Sequence, residues 1–423
     1  TFRHIMCLQN AVEGILGTSV SWADFEKQIK KALGTEARLG PKKSVLDIGD
    51  GKGYASCCGL ITCDWVDAAP GEKLPRTVVL KMNSTKGLRR LNELMPEGQK
   101  MFNYTDEQWA RMEISMSAIH NRECATYEFF EEFEGLAVPR KYYGKHVEEG
   151  SEVSGQLCLG FIENSQMMRF HEKHTVEQVR QIARALGKLQ ACSLKKEATA
   201  PELQMDFWTN MGNVFPLETY IGMFKGLLAI DNSEKTRSLM DKIAPLLPVY
   251  HGANLASTIH KQMGFRPVIV NADLHTGNVL IDKDTGDLAA LIDWQCTHLG
   301  VGVEDLHRIA MSALTTEERR ASMPMLVEEM YKSMVENLDG TEVPYSLITL
   351  LLVSDILYPH CALFFASIFI ALIKEKEDGI SEEEDRKRRA IKLDKAIGCL
   401  EDVVQFDVKN KNHVGGLKFK YDL

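Results

Sequence analysis

Two short apolar segments, each followed by polar side chains, constrain this chain more than any other feature of its sequence. The first is Val268–Val270, which leads into Asp273 and, five residues later, Asn278. The second is Leu291-Ile292, which leads directly into Asp293. Short runs of β-branched and other apolar residues predict buried strands. The chain is therefore predicted to present two carboxylates and one carboxamide at the ends of neighbouring strands.

These three side chains suit the transfer of a phosphoryl group from ATP. That reaction needs a carboxylate that orients or deprotonates the attacking hydroxyl and an acid–amide pair that holds Mg²⁺ on the phosphates. The separation of Asp273 from Asn278 is the D-x-x-x-x-N spacing of a kinase catalytic loop, and the metal-binding Asp of kinases also lies on the next strand, as Asp293 does. A simple hairpin accounts for the turn residues 282–287 but leaves the three oxygen-bearing groups unexplained.

The motifs around these residues resemble the choline/ecdysteroid kinase-like family, which is related to the aminoglycoside phosphotransferases. DLHTGN at 273–278 is followed by IDWQ at 292–295, whereas a protein kinase has D-F-G at its metal motif. The resemblance implies a small-molecule kinase that uses ATP and Mg²⁺ to phosphorylate a sterol-, choline- or xenobiotic-like hydroxyl. Asp273 would be the catalytic base, and Asn278 and Asp293 would be the metal ligands.

The same resemblance implies a fold. We expect a bilobal protein kinase-like α+β fold, with a small antiparallel-sheet N-terminal lobe and a large, mostly helical C-terminal lobe. The first lobe would span residues 1–163 and the second residues 164–423. ATP would bind between them.

Further segments follow the order of this family, and their residues are expected to contact or orient the nucleotide: Lys81, Glu123, Gly51, Gly53, Glu163 and Asn164. Lys81 ends an apolar strand and would hold the α- and β-phosphates, while Glu123, on a following helix, would pair with it. The two glycines lie in a predicted turn, where their backbone amides can approach phosphate closely. The last two residues lie at the expected hinge, whose backbone would pair with adenine.

One departure from the family pattern affects the expected activity. The family's first motif begins His-Gly-Asp, whereas this chain has Asn271-Ala272-Asp273. We expect Asn271 to replace part of the support that the family's His gives the loop, and Ala272 lacks a glycine's freedom at positive φ. A nucleotide-binding protein with impaired catalysis is therefore an alternative. Asp305, in a segment that resembles a helix start, is expected to brace the catalytic loop.

A second alternative comes from residues 45–53, VLDIGDGKG, which look like the first motif of S-adenosylmethionine-dependent methyltransferases. A Rossmann-type unit needs a helix after the glycine loop and then a parallel strand. Residues 54–64 instead predict a strand, and Pro70 and Pro75 follow closely. The methyltransferase hypothesis also gives the Asp273, Asn278 and Asp293 group no role.

Composition limits the partners. The formal charge of −9 disfavours non-specific binding to nucleic acid, which needs a basic surface. The ten cysteines show no zinc spacing, and reduced thiols in a cytoplasmic protein are expected. We expect a small-molecule hydroxyl acceptor and no obligate protein partner. Residues 346–373 are apolar enough to span a bilayer, but Asp355, Pro359 and His360 favour two core helices broken near the proline, without membrane insertion.

Hydrophobic spacing predicts a sheet in the first ~160 residues and a mostly helical remainder. Strands are predicted at 44–48, 55–63, 77–82, 141–143 and 156–161. Helices are predicted at 21–33, 106–133, 175–193 and 381–405.

Overall fold

The chain divides into two structural units. The computed structural model describes residues 14–49, 56–85, 89, 105–148, 154–172, 174–205, 217–251, 255–374 and 379–413. Unit 1 comprises residues 1–134 and 138–163, and unit 2 comprises residues 135–137 and 164–423.

Unit 1 is built on an antiparallel sheet. Its elements are α1 (Trp22–Leu33), β1 (Arg38–Leu39), β2 (Ser44–Asp47), β3 (Ser56–Thr62), β4 (Trp65–Val66), β5 (Thr77–Asn83), α2 (Asp106–Phe130), β6 (Lys141–Lys145) and β7 (Gln156–Gly160). Within the described part of this unit, five strands lie in the order β2-β3-β5-β7-β6, which makes β5 the central strand. β1 pairs separately with β4.

Side chains along β5 alternate between the apolar core and the opposite face of the sheet. Val78, Leu80 and Met82 are fully buried in the core of unit 1, where Phe25 and Ile29 of α1 also pack. Side chains of a strand point to opposite faces in turn, so Lys81 lies on the other face. The sheet thereby presents Lys81 on the face opposite its apolar core.

Local capping determines where the helices of unit 1 begin. The Ser21 hydroxyl accepts a hydrogen bond from Asp24 N, and Gly34 ends α1 with a left-handed φ of 65°. Thr105 and Gln108 form a reciprocal capping box at the start of α2. The predicted strands and helices of this unit are thus confirmed to within a few residues.

Unit 2 is mostly helical. Its elements are β8 (Ser165–Met167), α3 (Val176–Lys195), α4 (Pro201–Gln204), α5 (Leu217–Ile230), α6 (Glu234–Ile243), α7 (Leu247–Tyr250), α8 (Leu255–Gln262), β9 (Val268–Val270), β10 (Val279–Asp282), β11 (Leu288–Leu291), β12 (His298–Gly300), α9 (Val303–Ala313), α10 (Thr316–Glu336), α11 (Leu347–Lys374) and α12 (Glu382–His413). Side chains from α5, α6, α11 and α12 form its main apolar core.

The short strands of unit 2 pair differently from the prediction. In the described part, β9 pairs antiparallel with β12, and β10 lies between β11 and β8. The strand before Asp273 and the strand before Asp293 therefore belong to different small sheets. Main-chain and side-chain hydrogen bonds, described below, join the segments that follow them.

Residues 347–374 form one continuous helix, so the predicted break near Pro359 is wrong. Proline lacks the N–H that would bond the carbonyl of Asp355, four residues earlier. Asn410 of α12 replaces that donor, since its Nδ2 donates to Asp355 O at 3.0 Å. By length and composition this helix could cross a membrane, but 78% of its most apolar window is buried inside the protein.

Together these elements confirm the predicted protein kinase-like α+β fold. The antiparallel sheet lies in unit 1, and the helices with the DLHTGN motif lie in unit 2. The methyltransferase alternative needs a parallel strand after residues 45–53, yet Ser44–Asp47 pairs antiparallel with β3, from Ser44 opposite Thr62 to Asp47 opposite Gly59. The glycine turn itself, with Gly51 and Gly53, lies outside the described residues.

Candidate active site

A buried ion pair occupies the centre of unit 1. Lys81 Nζ of β5 lies 2.6 Å from Glu123 Oε2 of α2. The two residues are 8% and 1% exposed, so solvent screens their attraction little. Strand β5 fixes the lysine from both sides, because Lys81 pairs with Cys58 of β3 and Leu157 of β7. In kinases a lysine–glutamate pair of this kind must form before the lysine can hold the phosphates.

In unit 2, the segment from Asp273 to Asn278 forms a closed loop. It ends in a 3₁₀ turn, Thr276–Asn278, in which Asn278 N donates to His275 O at 2.9 Å. The side chain of Asn278 reaches back across the loop, since its Nδ2 donates to Asp273 O at 2.8 Å. Because the nitrogen is used in this way, the amide oxygen is the end of Asn278 suited to a cation.

Asn271 joins the two segments that carry the aspartates. Its Oδ1 accepts a hydrogen bond from Asp273 N at 3.0 Å, and its Nδ2 donates to Asp293 O at 3.0 Å. Asn271 is fully buried, so neither partner is readily replaced by water. A third link is made by the backbone, where Ile292 N donates to Asn278 O at 3.0 Å. The predicted supporting role of Asn271 is confirmed by these bonds.

Asp305, in the first turn of α9, holds the start of the loop. Its two carboxylate oxygens accept hydrogen bonds from Asn271 N at 2.7 Å and Ala272 N at 2.9 Å. The predicted bracing role is therefore confirmed. Burial, together with the neighbouring carboxylate of Glu304, raises the pKa of Asp305 to about 7.

The site has a strained backbone at two positions, one in the loop and one in the segment of Asp293. Ala272 has a φ of 63° and Asp293 a φ of 59°, both in the left-handed region that residues with a Cβ atom rarely adopt. The expectation that Ala272 replaces a glycine with positive φ thus matches the backbone here. Such strain persists when surrounding contacts hold it in place, and the Asp305 and Asn271 hydrogen bonds do so.

Aromatic stacking supports the loop from outside. The ring of His275 stacks on Phe170, with centroids 5.1 Å apart and planes inclined by 27°. His275 Nδ1 also accepts a hydrogen bond from Gly277 N at 2.9 Å. The sequence did not predict Phe170 as part of the site, because nothing near residue 170 resembles a motif.

Of the predicted hinge residues, Asn164 contacts the β10–β11 turn. Its Nδ2 donates to Asp284 Oδ2 at 2.9 Å, and its carbonyl oxygen accepts from Lys283 N at 2.9 Å. Glu163, the last residue of unit 1, has an exposed side chain. Asn164, the first residue of the 164–423 segment of unit 2, therefore anchors the β10–β11 turn.

The donor set suits Mg²⁺ better than a transition metal. Among the described residues, no three His, Cys, Asp or Glu side chains cluster as a metal cage. Mg²⁺ is commonly bound through one or two carboxylates, with water and substrate phosphates completing its shell. The Asp293 carboxylate and the Asn278 amide oxygen are hard ligands of this type, so the residues fit the ion.

Comparison with known proteins places this geometry in context. The profile of the DUF1679 family, described as "Uncharacterized oxidoreductase dhs-27", matches residues 8–411. A Caenorhabditis elegans protein described as "Uncharacterized kinase-like protein D1044.1" is 24% identical over 280 residues, which cover 64% of this chain and 72% of the relative. These matches confirm the resemblance to kinase-like proteins found in the sequence.

The chain also matches solved structures, among them a choline kinase and an ethanolamine kinase. Choline kinase from Cryptosporidium parvum has a TM-score of 0.48 and 10% identity, over 92% of this chain and 97% of that one. Plasmodium vivax ethanolamine kinase has a TM-score of 0.37 and 10% identity, over 83% of this chain and 82% of that one.

Proposed function

The chain belongs to the DUF1679 family, and from the geometry of the loop at residues 271–278 we propose that it is a small-molecule kinase. The proposed reaction transfers the γ-phosphate of ATP to a hydroxyl group of the acceptor. The observation that carries the proposal is the double hydrogen bond of Asn271, which ties the segment of Asp273 to the segment of Asp293. A base and a metal ligand held at a fixed spacing are what in-line phosphoryl transfer requires.

Each polar residue has a proposed role. Asp273 accepts a hydrogen bond from the acceptor hydroxyl and takes its proton as the bond to phosphorus forms. Asn278 and Asp293 would hold Mg²⁺, which, when bound, neutralises charge on the phosphates. Lys81 binds the α- and β-phosphates and is oriented by Glu123, its partner at 2.6 Å.

The acceptor is proposed to be a small alcohol of the sterol, choline or xenobiotic type. The net charge of −9 mildly favours a cationic acceptor. Six cysteines in the described part of the chain are free thiols, which supports a reducing, cytoplasmic location: Cys63, Cys124, Cys158, Cys192, Cys361 and Cys399.

Two other functions were weighed against the structure. The description of the family names an oxidoreductase, yet the strand pairings in the described part are all antiparallel, unlike the parallel sheet of a Rossmann-type nicotinamide site. An impaired kinase-fold protein is favoured by one observation, the strained φ of 63° at Ala272. The hydrogen bonds of Asn271 oppose that alternative, because they restrain the loop in spite of the strain.

A binding measurement separates these functions. Thermal shift is recorded with ATP·Mg²⁺, with S-adenosylmethionine and with NADH, each at the same concentration. A shift for ATP·Mg²⁺ alone supports the kinase, because a ligand that binds the native state raises the melting temperature. A shift for NADH or S-adenosylmethionine without one for ATP·Mg²⁺ would contradict it.

Turnover then separates an active kinase from an impaired one. ATP consumption is measured against a panel of small alcohols for the wild type, Asp273→Asn and Asp241→Asn. Asp241 is an exposed acid on α6 and serves as the matched control. We expect Asp273→Asn to lose at least about 100-fold in kcat, as removal of a general base does, and Asp241→Asn to match the wild type. Equal rates for the wild type and Asp273→Asn would remove Asp273 from the mechanism.

A further inference from the structure

A buried lysine lies in unit 2 outside the residues assigned so far. Lys395 of α12 is 2% exposed, and its Nζ donates to the carbonyl oxygens of Phe170 at 2.7 Å and Ser312 at 2.6 Å. Among the residues that the structure describes, no carboxylate lies within ion-pair distance of Lys395. Burial lowers the pKa of Lys395 to about 8. A buried ammonium without a counter-ion is unfavourable for stability, which suggests another reason for its presence.

The first carbonyl connects Lys395 to an aromatic ring that packs on the catalytic loop. Phe170, which supplies it, stacks on His275 at 5.1 Å and makes an edge-type contact with Phe369 at 5.8 Å. A hydrogen bond to the backbone of Phe170 therefore restrains the ring that packs against the loop. Lys395 acts on His275 through this one intermediate residue.

The second carbonyl connects Lys395 to α9, the helix that carries Asp305. Ser312 lies in the last turn of α9, where carbonyls lack intrahelical partners and favour a cation. The first turn of the same helix carries Asp305, whose carboxylate holds Asn271 N and Ala272 N. Lys395 thus contacts both of the supports that hold residues 271–278.

We propose that Lys395 is a positioning residue that fixes the catalytic loop through two chains of contacts, one through Phe170 and one through α9. The proposal rests on the proposed kinase function for its catalytic consequence. It assigns to α12, the helix Glu382–His413, a direct part in arranging the active site. Lys395 touches neither substrate nor reacting atoms in this role, and its effect on the rate arises from the placement of Asp273 and Asn278.

The test compares Lys395→Met with a matched control, Lys392→Met. Lys392 lies one turn earlier on α12, is 5% exposed and donates to Leu372 O at 3.2 Å, so its replacement removes a similar buried hydrogen bond from the same helix. Two quantities are measured for each protein. The first is kcat and KM for ATP with an accepted alcohol, and the second is the NMR signal of the His275 ring in protein labelled with ¹³C-histidine.

We expect Lys395→Met to lower kcat about 10- to 100-fold, as a displaced catalytic group does, while KM for ATP stays within about twofold. The His275 signal should shift in Lys395→Met, because the stacked ring of Phe170 moves, and should stay in place in Lys392→Met. If Lys395→Met does not fold, Phe170→Leu removes the stacked ring directly and should give the same loss of kcat and the same NMR shift.

The outcomes separate the two proposals. A wild type that turns over no alcohol contradicts the kinase function, and the His275 signal then still decides whether Lys395 positions the loop. An unchanged His275 signal in Lys395→Met overturns the Lys395 proposal, whatever the activity. Equal losses of kcat in Lys395→Met and Lys392→Met also overturn it, because the effect would then belong to the helix as a whole.

Discussion

Replacement of Asn271 by alanine tests the central feature of the site. The variant removes the acceptor for Asp273 N and the donor to Asp293 O, both at 3.0 Å from a fully buried side chain. Each orphaned buried backbone group costs about 1–3 kcal/mol, so the two together should lower the free energy of unfolding by roughly 2–6 kcal/mol. The loop that carries Asp273 would also lose its link to the segment of Asp293.

The assay combines urea unfolding with steady-state kinetics. We expect Asn271→Ala to lose about 100-fold or more in kcat/KM, because a displacement of about 1 Å has effects of this size. Asn337→Ala serves as a matched control. It removes one asparagine-to-backbone hydrogen bond elsewhere in unit 2, from Nδ2 to Ser333 O at 2.7 Å. This control should cost about 1 kcal/mol of stability and leave kcat/KM unchanged.

A particular result would refute the role of Asn271. If Asn271→Ala kept the kcat/KM of the wild type and unfolded within about 0.5 kcal/mol of it, the two hydrogen bonds would not join the aspartate segments in solution. A histidine at this position provides a further check. Asn271→His restores the residue that the kinase-like family has there, and activity above that of Asn271→Ala is expected.

The pKa of Asp305 is raised to about 7 in the folded protein, from about 3.9 in the unfolded chain. The folded protein therefore binds more protons than the unfolded chain between pH 4 and 7. Its stability should fall as the pH rises through that window. Urea unfolding at pH 5 and pH 8 should show this fall in the wild type and not in Asp305→Asn, and parallel profiles would contradict it. Asn410→Ala should lower the free energy of unfolding by about 1–2 kcal/mol, because Asp355 O loses its donor. The decrease should be smaller in a Pro359→Ala background, where the restored N–H of residue 359 can bond that carbonyl. An equal decrease in both backgrounds would show that Asn410 does not replace the missing proline donor. Lys81→Met should raise the Kd for ATP, measured by calorimetry, roughly 10- to 150-fold, because a charge-assisted hydrogen bond to phosphate is lost. An unchanged Kd would exclude a contact between Lys81 and the phosphates.

Strand and helix positions followed from the sequence where local signals agreed. The apolar run at 77–82 and the helical pattern that begins at Ser21 predicted β5 and α1 closely. In these places the hydrophobic period and the end signals point to the same structure. The DLHTGN motif likewise predicted a loop after β9, because the proposed chemistry requires its polar residues in that order.

Two further supports of the loop, unlike Asn271 and Asp305, could not be predicted in the same way. Phe170 stacks on His275, and Lys395 donates to Ser312 O of α9, although each pair is far apart in the sequence. A phenylalanine or lysine at those positions carries no local sequence signal for such a contact. The prediction near Pro359 was wrong for a related reason. Proline breaks a helix when its missing donor leaves a carbonyl unpaired, and here a side chain of another helix fills that need.

The contact between Asn410 and Asp355 has a consequence for synthesis on the ribosome. Helix α11 is translated before residue 410. Until Asn410 has been translated, the Asp355 carbonyl, which Pro359 cannot bond, lacks its native donor. The longest apolar helix of the described chain thus reaches its final hydrogen bonding only after residue 410 of α12 has been translated. Nascent chains of unit 2 should therefore remain sensitive to proteases until α12 has left the exit tunnel.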